Sequence, residues 1–163
     1  MRTRLVAGIM AISAVALIGG ASVAAAGASP GGTRAELLRI MNTTATSVRL
    51  SVIATGAVTA GGYVIPAAVT DVVVFPRGTF TFRHVRRSGT AAFNSHTCLL
   101  TETLRGTFTL GEGSGRYAGI RGSGTFVTSI VAVTARNRAG RCTHLQAPAT
   151  YQEITTASGT VRR

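Results

Sequence analysis

The stretch Gly106–Phe126, GTFTLGEGSGRYAGIRGSGTF, constrains the fold of this chain more than any other. It opens and closes on Gly-Thr-Phe, a tripeptide that also occurs at Gly78-Thr79-Phe80. Thr and Phe alternating with small residues favour a pleated, half-buried strand, while closely spaced glycines supply turns and no helical packing face. The segment therefore reads as a β-hairpin, with its turn between Gly111 and Gly122. Gly113-Ser114-Gly115-Arg116-Tyr117-Ala118 also matches the Gly-x-Gly-x-x-Ala spacing of dinucleotide sites. The residues after it read as a Thr/Phe strand and not a helix, so no helix N-terminus awaits a pyrophosphate, and no cofactor is expected.

The same texture runs from Ser47 to the end of the chain. Short alternating runs predict strands over Val48–Thr59, Val69–Phe75, Thr79–Val85, Thr97–Leu110, Ser123–Ala135, Arg141–Gln146 and Thr150–Ser158. Gly61-Gly62, Pro66, Ser88-Gly89, Asn137–Gly140 and Pro148 punctuate them, and Pro76-Arg77-Gly78 is expected to bend one long strand. Arg34–Met41 fits one or two helical turns with Leu37, Leu38 and Met41 on one side, within a flexible segment 29–46. No long helix is indicated beyond residue 45. Many short strands in one domain (47–163) mean an all-β fold, a closed antiparallel β-barrel of about eight strands, because closure removes exposed edges.

Residues 1–28 are read as a cleaved signal peptide. Arg2 and Arg4 precede an uncharged apolar run, Leu5–Ile18, and Ala26 or Ala28 closes a small-x-small cleavage site. That run falls short of the ~20 residues of a membrane span, so an integral membrane protein is not expected. The protein is expected to be secreted, with 135 of its 163 residues left after cleavage. All 17 basic residues are arginine, against 5 acids; setting Arg2 and Arg4 aside lowers the formal charge from +12 to +10. Such a balance suits solubility or an anionic envelope component. Nucleic acid is a poor partner, since there is no basic helix, no Trp and no stacking stripe among the basic residues. Cys98 and Cys142, the only cysteines, are expected to form a disulfide in an exported chain, and His84, His96 and His144 do not complete a metal-ligand pattern.

At Gly111–Gly124 the chain resembles the hairpin of the allene oxide cyclase and dirigent family, with Gly113, Gly115, Tyr117, Gly119 and Gly122 standing in the family's turn and second glycine cluster. The overall layout is similar to small secreted actinobacterial members without assigned activity. The resemblance implies an eight-stranded antiparallel barrel that holds a hydrophobic molecule, and an oligomer, often a trimer. It carries over no catalytic residue.

Alternation assigns faces. Cys98, Leu100, Glu102, Leu104, Gly106, Phe108 and Leu110 share one face of their strand, and Thr101, Thr103, Arg105, Thr107 and Thr109 share the wet one. Phe80, Phe82 and His84 likewise face inward. A carboxylate between Leu100 and Leu104 needs a partner, water or a proton. Glu102 with His84 or His144, beside Phe80 and Phe82, is therefore the candidate ligand-binding set, and structural pairing of Glu102 with Arg105 or Arg83 is the competing reading. A Cys98–Cys142 bridge is expected to bring His144 towards Glu102. If Val85–Gly89 and Arg136–Gly140 are turns at one end, Arg86, Arg87, Arg136, Arg138 and Arg141 rim the same mouth and can steer an anionic group. These features suit three functions: a small binding protein for an apolar or amphiphilic molecule, a cyclase or isomerase working through Glu102 and a histidine, or a basic interaction module.

Overall fold

A computed structural model describes residues 32–163. The signal-peptide reading lies outside the described residues. Eight strands close a barrel: β1 (Arg34–Asn42), β2 (Leu50–Gly56), β3 (Ala60–Ile65), β4 (Thr70–Phe75), β5 (Gly78–Asn94), β6 (Leu99–Gly111), β7 (Arg121–Val133) and β10 (Thr150–Arg162). Two short strands, β8 (Ala135–Arg136) and β9 (Cys142–Thr143), form a separate ladder inside the β7–β10 connection. Every pairing is antiparallel, and the ring runs β1-β10-β7-β6-β5-β4-β3-β2 before closing between β1 and β2. The expected all-β barrel is the fold.

Several local expectations are corrected. Arg34–Met41 is neither helical nor part of a loose segment. It is strand β1, with Glu36, Leu38 and Ile40 inward, paired to β10 on one side and β2 on the other. Gly61-Gly62 lies inside β3 and does not punctuate. Pro76-Arg77 does not bend a strand. It is a two-residue reversal that pairs Phe75 with Gly78. Gly78 makes that reversal fit: its φ is +143°, and a Cβ there would lie 2.2 Å from the Ser114 carbonyl oxygen. Ser88-Gly89 is no turn either, because β5 runs through it with a register shift between Arg86 and Ser88. The Arg141–Gln146 strand shrinks to Cys142–Thr143.

Strand lengths are unequal. β2, β3 and β4 have 7, 6 and 6 residues, whereas β5 has 17 and β6, β7 and β10 have 13 each. The β4–β5 ladder runs only from Thr70↔Arg83 to Phe75↔Gly78, so β5 beyond His84 has β6 alone as its neighbour. Half of the ring therefore stands taller than the other half at one end, forming a wall whose inner face continues that of the barrel.

The opposite end is plugged. The β6–β7 loop folds into a single 3-10 turn, Gly115–Tyr117, that drops Tyr117 onto Phe75 and Phe80 with ring centroids 5.7 Å away from each. Ile120 and Val58, both fully buried, complete the plug. Above it, Leu38, Val52, Val64, Val73, Leu110 and Val161 fill the interior. Burying side chains of this size contributes roughly 1.5–3 kcal/mol each. The glycine-dense hairpin makes the expected turn, and the structure shows in addition that this turn builds a floor.

Candidate functional site

The tall wall and the short-stranded rim enclose a cavity of about 530 Å³ at the open mouth. Its base is apolar, with Phe82 stacked on Phe108 at 4.9 Å and Phe126 beside them, and Leu104 and Val69 extend the apolar lining upward. Its sides carry His84, Arg86, Thr128, Glu153 and Thr155. Alternation puts them there. His84 follows Phe80 and Phe82 on β5, while Glu153 and Thr155 precede the buried Ala157 and Val161 on β10.

Each ionisable group at this mouth has a partner. His84 Nε2 lies 3.6 Å from Asp71 Oδ1, and that oxygen also accepts the Ala67 N–H at 2.8 Å. Burial raises the Asp71 carboxyl above the usual range, against the opposing pull of the Ala67 N–H and His84. Arg86 lies 3.6 Å from Glu102 across the inner face. Tyr151 donates its hydroxyl to Glu153 Oε2 at 2.9 Å. Burial first, then the Glu153 hydrogen bond and the charges of Glu153 and Glu102, push the Tyr151 phenol up and keep it a donor. Thr128 and Thr155 hydroxyls meet at 2.6 Å. Three of the chain's five acids thus gather at one mouth of a strongly basic protein. The arrangement can seat an apolar body below and hydrogen-bond a polar end above.

The sequence-derived set is partly assembled. Phe82 and His84 line the cavity, and Glu102 is half-buried on the inward face, as its alternation indicates. Its partner is neither a histidine nor Arg105 or Arg83, but Arg86, which reaches it from β5. Phe80 sits a layer deeper, in the aromatic plug. His144 is exposed and packs against Phe93 with centroids 5.5 Å apart, so it does not join Glu102. The Cys98–Cys142 bridge does form, with Cα atoms 5.4 Å apart, and ties the start of β6 to β9. Such a bond is compatible with an extracellular location.

The expected arginine rim does not hold as one unit. Arg86 turns to Glu102, and Arg87 is the extra, exposed residue at the β5 register shift. Arg136, Arg138 and Arg141 belong to the β8–β9 excursion, where Arg136 is held by the carbonyls of Gly140 and His96. Asp71, Tyr151 and Glu153 are the polar residues that sequence reasoning passed over. The signal was present: Asp71 shares parity with Val73 and Phe75, and Glu153 with Ala157 and Val161.

The fold and mouth together define a closed eight-stranded barrel with one plugged end and one open, amphipathic end. No family model, no curated protein and no solved structure matches the chain. Among the described residues no helix is long and apolar enough to cross a membrane, and no group of three His, Cys, Asp or Glu side chains is placed to hold a metal ion.

Proposed function

We propose that this is an exported binding protein that takes a small apolar or amphiphilic molecule into the open mouth of its barrel. The observation that carries the reading is the cavity itself, at about 530 Å³. Pockets for small molecules run to roughly 300–1,000 Å³ and combine apolar walls with a few placed polar groups. Phe82, Leu104 and Phe126 supply the first, and His84, Glu153 and the Thr128–Thr155 pair the second. The resemblance of the Gly111–Gly124 hairpin to barrels that hold hydrophobic molecules supports the same reading.

The test uses the neutral fluorophore N-phenyl-1-naphthylamine. The native protein is expected to bind it with an enhanced emission, and Leu104→Trp, which fills the cavity, to weaken binding roughly tenfold or more. Arg77→Gln, at the plugged end, leaves binding unchanged. Equal enhancement by the native and Leu104→Trp proteins, or none by either, would defeat the proposal.

A further inference from the structure

The plugged end carries a second concavity that the small-molecule reading does not use. It is a groove of about 830 Å³ on the outer side of the plug, and four arginines line it: Arg34 at the start of β1, Arg77 in the β4–β5 turn, Arg116 in the β6–β7 turn and Arg163 after β10. No acidic residue shares that lining. Among the described residues none of the four has a carboxylate within ion-pair distance; the two ion pairs present are His84–Asp71 and Arg86–Glu102, both at the other end. Glu36 lies buried beneath, engaged with the Val58 N–H, and Glu112 stands in the same β6–β7 connection without an ion pair.

The backbone that carries Arg77 and Arg116 is fixed, and the Arg163 side chain is itself anchored. The Arg116 N–H donates to the Arg77 carbonyl at 2.8 Å, and the Ser114 N–H to the Thr79 carbonyl at 2.8 Å, so two turns from different hairpins are clamped together. The Ser114 hydroxyl adds a hydrogen bond with the Thr79 hydroxyl at 2.8 Å and accepts the Thr79 N–H at 3.1 Å. Arg163 donates to the Ala57 carbonyl, and its guanidinium lies 5.8 Å from the centre of the Tyr117 ring. Unpaired guanidiniums around one concavity repel one another, and a concave low-dielectric wall concentrates their field. Their planar forks match the oxygens of phosphate.

We infer that this groove is a binding site for a multiply charged phosphate oxoanion, seated on Arg77 and Arg116 with Arg34 and Arg163 at its flanks. A free phosphorylated solute and a phosphate-bearing lipid headgroup share that chemistry. The site faces away from the open mouth, so it stands whether or not an apolar ligand occupies the cavity.

The experiment measures binding of inorganic tripolyphosphate by calorimetry, and of vesicles containing phosphatidylglycerol by co-sedimentation. The comparison is between the native protein, Arg77→Gln/Arg116→Gln, and Arg136→Gln/Arg138→Gln as an equal change of charge at the other end. Tripolyphosphate affinity is expected to fall roughly tenfold or more in the first variant only, and to weaken from about 50 to about 300 mM salt. Vesicle binding lost in the same variant identifies a lipid headgroup as the source; vesicle binding absent or unaffected identifies a free solute. An absence of tripolyphosphate binding at low salt, or an equal loss in both variants, overturns the inference. Both variants alter exposed turn residues, and their thermal midpoints report whether the fold is kept.

Discussion

Replacing Glu36 by glutamine should make the barrel less sensitive to pH and more stable near neutrality. Glu36 points inward from β1 and is 4% exposed. One carboxylate oxygen accepts the Val58 N–H at 2.7 Å, and the other, Oε1, is buried without a partner. Burial raises its pKa from 4.5 to about 6, with the Val58 and Ala57 N–H groups and the Arg163 charge pulling the other way. A carboxyl whose pKa is higher in the folded chain binds its proton more tightly there. Its charge therefore opposes folding above about pH 6, and the penalty is relieved as pH falls from 6 towards 4.5. A shift of that size corresponds to about 2 kcal/mol. For a domain of this length that is roughly 6–10 °C in thermal midpoint. Glutamine keeps an acceptor for Val58 but carries no charge, so the variant should melt higher than the native protein near pH 7.5, with the gap narrowing below about pH 6 and closing near about pH 4. Circular dichroism melts of both proteins at constant ionic strength measure the difference, which cancels the titration of every other group. A difference that does not change with pH, or that grows as pH falls, refutes the assignment of the cost to this carboxylate.

The contacts described set three further outcomes. Replacing Cys98 and Cys142 together by serine should cost about 4 kcal/mol by the chain-entropy relation for a separation of 44 residues, read by chemical denaturation. Gly78→Ala should cost roughly 1–3 kcal/mol, because the added methyl meets the Ser114 carbonyl at a backbone angle suited to glycine; a midpoint equal to the native value would contradict the clamp between the two turns. Glu102→Gln should change stability by less than about 1 kcal/mol, since its pairing with Arg86 is solvent-accessible on both sides, and a large loss would mean that the pair is structural.

The sequence displays faces clearly and heights poorly. Alternation puts Glu102, Phe82 and His84 on the inner surface, because a strand's side-chain period of two survives any later packing. Where along the barrel axis each residue stands depends on how far neighbouring strands reach. That is a property of pairing, and it separates Phe80 in the plug from Phe82 at the mouth, and His144 from Glu102. β1 was hidden for a related reason. Leu37, Leu38 and Met41 fit a helical stripe, and only pairing with β10 and β2 selects the strand in which Leu38 turns in and Leu37 out. Gly62 misleads locally because its role is distant: a Cβ there would lie 2.1 Å from the Val74 carbonyl oxygen and 2.6 Å from the Phe75 ring. The hairpin at Gly106–Phe126 was legible because its pairing is between sequence neighbours.

The seam between β1 and β10 sets an order of events for folding. Arg34 pairs with Val161 and Asn42 with Glu153, so the first and last strands of the ring are each other's neighbours. The hairpins from β2 to β7 can each form as their residues become free, but the ring stays open along β1 and β7 until β10 fills the gap between them. Closing contacts that span nearly the whole domain are slow to find. A chain stalled before Thr150 therefore presents two unsatisfied strand edges, and the thirteen residues of β10 act as the latch that removes them.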